Sequence, residues 1–321
     1  MSSRRSALTV LNMQEQGAPG SRLRKLASRV SLATAVVLVV LKLAAWLATG
    51  SVALLTSAVD ALVDAASSMV TYFGVRYAER PPDSDHRFGH GKGEAIASFT
   101  QATFLAGAAL VLTFQSVDRL IYPASLGALH IGLWVILVSL LAAAGLVAMQ
   151  SWVVQKTGST AIAADRAHYL TDVAVNAAVL IALGVTKWTG WQQADPIGAL
   201  AISAYMLWNA QRIAKAALVQ LLDRELPGED RRRIRKAILG CEGACNIHDL
   251  RTRYSGDRIF VEYHLEVDGN LTVARGHAIG DNTESAVERL FSDMVEVTAH
   301  LEPFGIIDER LDDRVRQGAS A

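Results

Sequence analysis

Two apolar stretches decide the reading: SVALLTSAVDALVDAASSMVTYFGV at 51–75 and AIAADRAHYLTDVAVNAAVLIALGV at 161–185. Each carries an ionisable pair four residues apart, Asp60 with Asp64 and His168 with Asp172. Residues at i and i+4 share a helix face, so each stretch projects two candidate ligands the same way. An ionisable side chain inside a bilayer is costly and faces the bundle interior, where it marks an ion or proton path. Three carboxylates and one imidazole make a suitable donor set for a divalent cation such as zinc.

The rest of the chain supports a membrane setting. Of its 321 residues 51% are hydrophobic, and the mean hydropathy is +0.25. Six apolar segments, at 30–49, 52–78, 94–121, 129–155, 161–187 and 196–220, are each long enough to cross a core of about 30 Å. Formal charge sums to zero, so no basic footprint argues for nucleic acid. The charges are segregated, sparse between about 30 and 220 and dense outside. Lys and Arg gather in the N-terminal tail, in the 79–93 connector, at Lys156 and after 220, which sets both termini in the cytoplasm by the positive-inside rule. Two cysteines, Cys241 and Cys245, exclude a disulfide scaffold. No cleavable signal peptide is visible.

Counting depth along the helices gives an independent check. Asp60 and Asp64 fall about 12 and 18 Å below the outer edge of the second segment, and His168 and Asp172 about 10 and 16 Å above the inner edge of the fifth. In a core of about 30 Å, His168 is level with Asp64 and Asp172 with Asp60. Ligation requires deprotonated donors, so metal and protons compete for such a site. His168 is the natural proton acceptor near neutral pH. No GxxxxGK[ST] and no HExxH occurs, so neither ATP-driven pumping nor metallohydrolysis is indicated.

Outside the bundle, residues 1–29 read as a flexible tail and 306–321 as a disordered one. Residues 221–305 read as a soluble domain of order α-β-β-α-β, with a small antiparallel sheet and helices on one face. The expected fold is therefore an α-helical membrane protein: a six-helix transmembrane bundle, 30–220, followed by a cytoplasmic α+β domain. The 79–93 connector holds Asp83, His86 and His90. The soluble domain holds His248, His264, His277 and His300, with Glu302 two residues past His300.

These motifs together resemble the cation diffusion facilitators, in particular their bacterial zinc and iron exporter branch. The resemblance rests on Asp-xxx-Asp in helix 2, AHYLTDVAVN in helix 5, HRFGHGKGE after helix 2, LLDRELP after helix 6 and HDLRTR in the soluble domain, and covers about 28–303. It implies a metallochaperone-like domain, a homodimer in the inner (plasma) membrane, and exchange of zinc, with cadmium or iron as alternatives, for protons. It also implies a second metal site at Asp83, His86 and His90, and a binuclear zinc site at His248, His264, His277, His300 and Glu302. Glu302 departs from the aspartate that branch carries there. A membrane metal sensor without net transport is the alternative expectation.

Overall fold

The computed structural model describes residues 19–49, 52–122, 130–189, 191, 193–291, 294–305 and 310–318. The chain divides into two compact units, 1–218 and 219–321.

Six long helices of 27 to 31 residues build the first unit: α1 (Pro19–Thr49), α2 (Val52–Ala78), α3 (Lys92–Ile121), α4 (His130–Thr157), α5 (Thr160–Thr189) and α6 (Ala194–Leu221). They follow the six apolar segments to within a few residues, except at the start of α1. Among the described residues, 20–48, 92–121 and 137–157 are by length and composition long and apolar enough to cross a membrane. In a membrane only such self-satisfied backbones are stable without water. Large apolar side chains such as Val40, Phe73, Phe114 and Ile181 point outward, as a lipid-facing surface requires.

Small residues set the helix spacing. A Cβ on Gly74 would lie 2.3 Å from that of Ala97, so α2 and α3 approach closely there. Leu105 and Ala109 of α3 pack on Met206 and Ala210 of α6. Ala143 and Leu146 of α4 pack on Tyr169 of α5.

One expectation is corrected here. The tail read as flexible up to Arg29 is helical from Pro19. The reason is electrostatic: Arg24 is buried and meets two carboxylates, Glu79 at 3.3 Å and Glu94 at 3.3 Å, while Lys25 meets Glu79 at 2.6 Å. With their charges matched inside the bundle, these residues extend the first helix by about three turns. Residues 1–18 lie outside the described residues.

The second unit runs α7 (Gly228–Leu239), β1 (Asn246–Ser255), β2 (Arg258–Val267), α8 (Val273–Glu288), β3 (Met294–Pro303) and α9 (Leu311–Gly318). Alternate residues of β2, from Ile259 through Val261, Tyr263 and Leu265 to Val267, enter a core shared with Ile234, Ile238, Ile279 and Val287 of the helices. β1 and β2 form a hairpin about Gly256, whose φ of 64° favours a residue without a Cβ. β3 pairs with the other edge of β2 in parallel, so the sheet is mixed rather than antiparallel. The α8 crossover returns the chain to the same end of the sheet, and only that makes a parallel neighbour possible. The α-β-β-α-β order is as expected.

A third correction, after the helical tail and the mixed sheet, concerns the C-terminus, read as disordered from 306. Residues 311–318 are helical. Asp249 supplies the N-terminal cap: its carboxylate accepts from the backbone N–H of Leu311 and of Asp312, each at 2.9 Å. Asp249 itself sits at φ 52°, beside the irregularity in the β1–β2 pairing between His248 and Arg251.

Candidate metal centres and family membership

In the helical unit, Asp64, His168 and Asp172 each offer a ligand atom, and these atoms lie within 4.8 Å of one another. His168 Nε2 is 2.9 Å from Asp64 Oδ1 and 4.0 Å from Asp172 Oδ2. The i, i+4 spacing on α5 brings His168 and Asp172 to one face, and α2 brings Asp64 against it. Both carboxylates are half-buried and His168 is buried, with its Nδ1 finding no hydrogen-bond partner among the described residues. Asp60 lies one turn before Asp64, is exposed, and falls outside this group of three. Asn176 donates to the Asp172 carbonyl at 2.7 Å and so belongs to the helix rather than the group.

A second carboxylate of α5, Asp165, was not singled out by its sequence context. It is fully buried beneath the group. Ser31 of α1 donates to it at 2.5 Å and Gln150 of α4 at 2.6 Å, while Gln101 of α3 is 3.4 Å away. Ser31 also meets Ser68 of α2, which meets the Tyr169 hydroxyl at 2.8 Å. Five helices therefore hydrogen-bond to one another around this carboxyl. The available clue was a charge three residues before His168, beside Arg166.

In the 79–93 connector, Asp83, His86 and His90 form a second group. Asp83 Oδ1 accepts from the backbone N–H of Asp85 and His86, at 3.0 and 2.7 Å, and lies 3.2 Å from His86 Nδ1. The other Asp83 oxygen lies 3.2 Å from His90 Nε2. The His86 backbone N–H, foremost among these contacts, holds the Asp83 carboxyl below its ordinary range. His90 is buried under the Tyr77 ring, whereas Asp83 and His86 are exposed.

The third group is His248, His264 and Glu302. Strand register explains it. His248 pairs with His264, and His264 pairs with His300, so three histidines form one row across the sheet. Two residues along, on the same face, lies the row Asn246, Glu266 and Glu302. The two Glu302 oxygens reach both imidazoles, at 2.7 Å from His264 Nδ1 and 3.0 Å from His248 Nε2. The longer side chain at this position therefore still spans the pair.

His300 is largely exposed, with Nε2 3.5 Å from Glu302. His277 projects from α8, exposed and 3.6 Å from Asp281, away from the other histidines. The sequence reading omitted Glu266. It is buried, 3.6 Å from His248, and held by Arg310 at 2.6 Å. Cys241 and Cys245 are free thiols outside all three groups.

Comparison with known proteins agrees with this division. A sequence model described as the cation efflux transmembrane domain matches residues 28–222, and one described as the cation efflux protein cytoplasmic domain matches 226–304. The cation-efflux pump FieF of Klebsiella pneumoniae is 41% identical over 286 residues, covering 88% of this chain and 95% of its own. FieF of Pectobacterium atrosepticum is 42% identical over 289 residues, covering 90% and 96%. Among solved structures, the zinc form of CzrB is 37% identical and covers 27% of this chain and 99% of its own, with a TM-score of 0.24. The metal-bound C-terminal domain of the CzcD transporter from Thermotoga maritima is 26% identical, covering 25% and 93%, with a TM-score of 0.24. With both halves matched in order, the chain belongs to the cation diffusion facilitator family, whose members are cation efflux transporters.

Proposed function

We propose that the protein exports a divalent cation, zinc foremost, in exchange for protons, by alternating access at a site built on α2 and α5. One observation carries this reading: the ligand atoms of Asp64, His168 and Asp172 converge within 4.8 Å in the middle of long apolar helices. An imidazole with carboxylates suits zinc better than manganese, which takes more oxygen donors. Asp60, one turn before Asp64 on the same face of α2, is the candidate fourth ligand. Because every ligand must shed its proton to bind, cation and proton exclude each other at this site. Opening first to one side and then to the other converts that exclusion into exchange.

The connector group Asp83, His86 and His90, half open to solvent, suits capture of the cation before transport. The sheet group His248, His264 and Glu302, with His300 beside it, suits a bound zinc ion that stabilises the cytoplasmic domain. A second copy of the chain is the expected partner of that domain, with both termini in the cytoplasm.

Zinc uptake into proteoliposomes of the full chain, with and without a pH gradient, tests the reading beside Asp64→Ala. Uptake that follows the gradient and is abolished by the substitution is the expected result. Uptake indifferent to both would remove the transport site from α2 and α5 and favour a metal-sensing role for the sheet group.

A further inference from the structure

Where α1 begins and α2 ends, the helical unit carries a crevice of about 440 Å³ that none of the metal groups uses. Lys25, Arg29, Arg76 and Arg80 line it, with Tyr72 and Glu79. The one carboxylate, Glu79, is already engaged by Arg24 and Lys25. The three remaining guanidinium groups have no carboxylate partner among the described residues. Arg76 instead donates to the Tyr72 hydroxyl at 2.9 Å, and Arg80 lies over the Tyr77 ring at 5.2 Å. Guanidinium groups match the oxygens of a phosphate in pairs and are less strongly hydrated than ammonium.

The helix faces running on from the crevice are apolar and exposed. On α1, Arg29 is followed by Val36 and Val40, which are 50% and 61% exposed. These lie seven and eleven residues on, close to one line along the helix. On α2, Arg76 is preceded three and seven residues back by Phe73 and Met69, 59% and 47% exposed, with Arg80 just past the end of the helix. A basic crevice between two helix ends, continuous with two apolar stripes on a transmembrane bundle, has the shape of a phospholipid: a phosphate head with two hydrocarbon tails.

We infer that the crevice between α1 and α2 binds an anionic phospholipid of the phosphatidylglycerol class. Its phosphate sits among Arg29, Arg76 and Arg80, and its acyl chains lie along the Val36–Val40 and Met69–Phe73 stripes. The stripes decide for a lipid over a free phosphate ion, which has no use for them. Arg24 and Glu94 lie behind the crevice, buried, and take no part in the binding.

The test is native mass spectrometry of the full chain in detergent, titrated separately with dioleoyl-phosphatidylglycerol and dioleoyl-phosphatidylcholine. Wild type should retain phosphatidylglycerol in preference to phosphatidylcholine. The triple variant Arg29→Gln, Arg76→Gln, Arg80→Gln should lose that preference, at about fivefold in affinity per arginine removed. The triple lysine variant, which keeps the charge and checks that the fold survives, should retain most of it. Equal retention of the two lipids by wild type would overturn the inference, as it would if a second copy of the chain covered the crevice. So would an unchanged preference in the glutamine variant. Displacement of the lipid by millimolar inorganic phosphate or by deacylated glycerophosphoglycerol would also overturn it, showing a phosphate site without a lipid.

Discussion

Asp165 shows what a single residue can do that its sequence context hides. Its neighbours on α5, His168 and Asp172, were legible because their spacing alone puts them on one face opposite a matching pair. The partners of Asp165 are Ser31, Gln101 and Gln150, from three different helices, and no local pattern links positions so far apart. Replacing the carboxyl by an apolar group strands those donors. Asp165→Leu should therefore destabilise the helical unit by about 1–3 kcal/mol for each buried donor left unmatched, whereas Asp165→Asn keeps the shape and some of the bonds and should cost less. Thermal unfolding of the two variants in the same detergent measures the difference. Equal losses would mean that the bonds to this carboxyl contribute nothing beyond packing. Glu266 escaped notice for a similar reason: only strand register brings it beside His248.

Elements were easier to read than their ends. Apolar runs bounded the six helices well because burial in lipid imposes length directly. The two errors at helix ends, α1 and α9, both lie where distant side chains extend or cap a helix, while the sheet's parallel third strand is a separate departure. α9 has a strongly polar sequence, and composition alone gives no reason for it to be ordered. Its order comes from Asp249, some sixty residues earlier. Burial pushes the Asp249 carboxyl up, but the N–H groups of Leu311 and Asp312, with the nearby histidines, outweigh this and hold it below its ordinary range. A carboxyl lowered by folding stabilises at every pH above its unfolded pKa, and that contribution fades as pH falls through the folded one. The α9 cap should thus persist from neutral pH down to about 4, the ordinary aspartate range, and be lost only below it. Asp249→Ala should remove about 1 kcal/mol of capping at neutral pH. Amide exchange of residues 311–315 reports both effects, and protection unchanged by the substitution would show that α9 is held by something else.

At the scale of the whole molecule, the segregation of charge announced a membrane bundle and a polar domain before any contact was known. What it concealed is that some charges are internal. Arg24 of α1, Glu79 after α2 and Glu94 of α3 form a buried cluster, and Glu94 also accepts from Ser159 at the start of α5, at 2.7 Å. This ties four parts of the bundle at one end. Removing both carboxylates, Glu79→Ala with Glu94→Ala, leaves a buried guanidinium without either partner and should cost about 3–5 kcal/mol. A melting temperature in detergent equal to that of wild type would show the cluster to be solvated in practice. The histidine row of the sheet has a different kind of consequence. Side chains alternate between faces along a strand, so a slip of β3 by a single residue would turn His300 and Glu302 to the opposite side together. Such a slip removes both β3 members at once and leaves His248 and His264 facing each other without Glu302. A metal ion held there would act as a proofreader, rewarding the one alignment of three strands that the rest of the domain also needs.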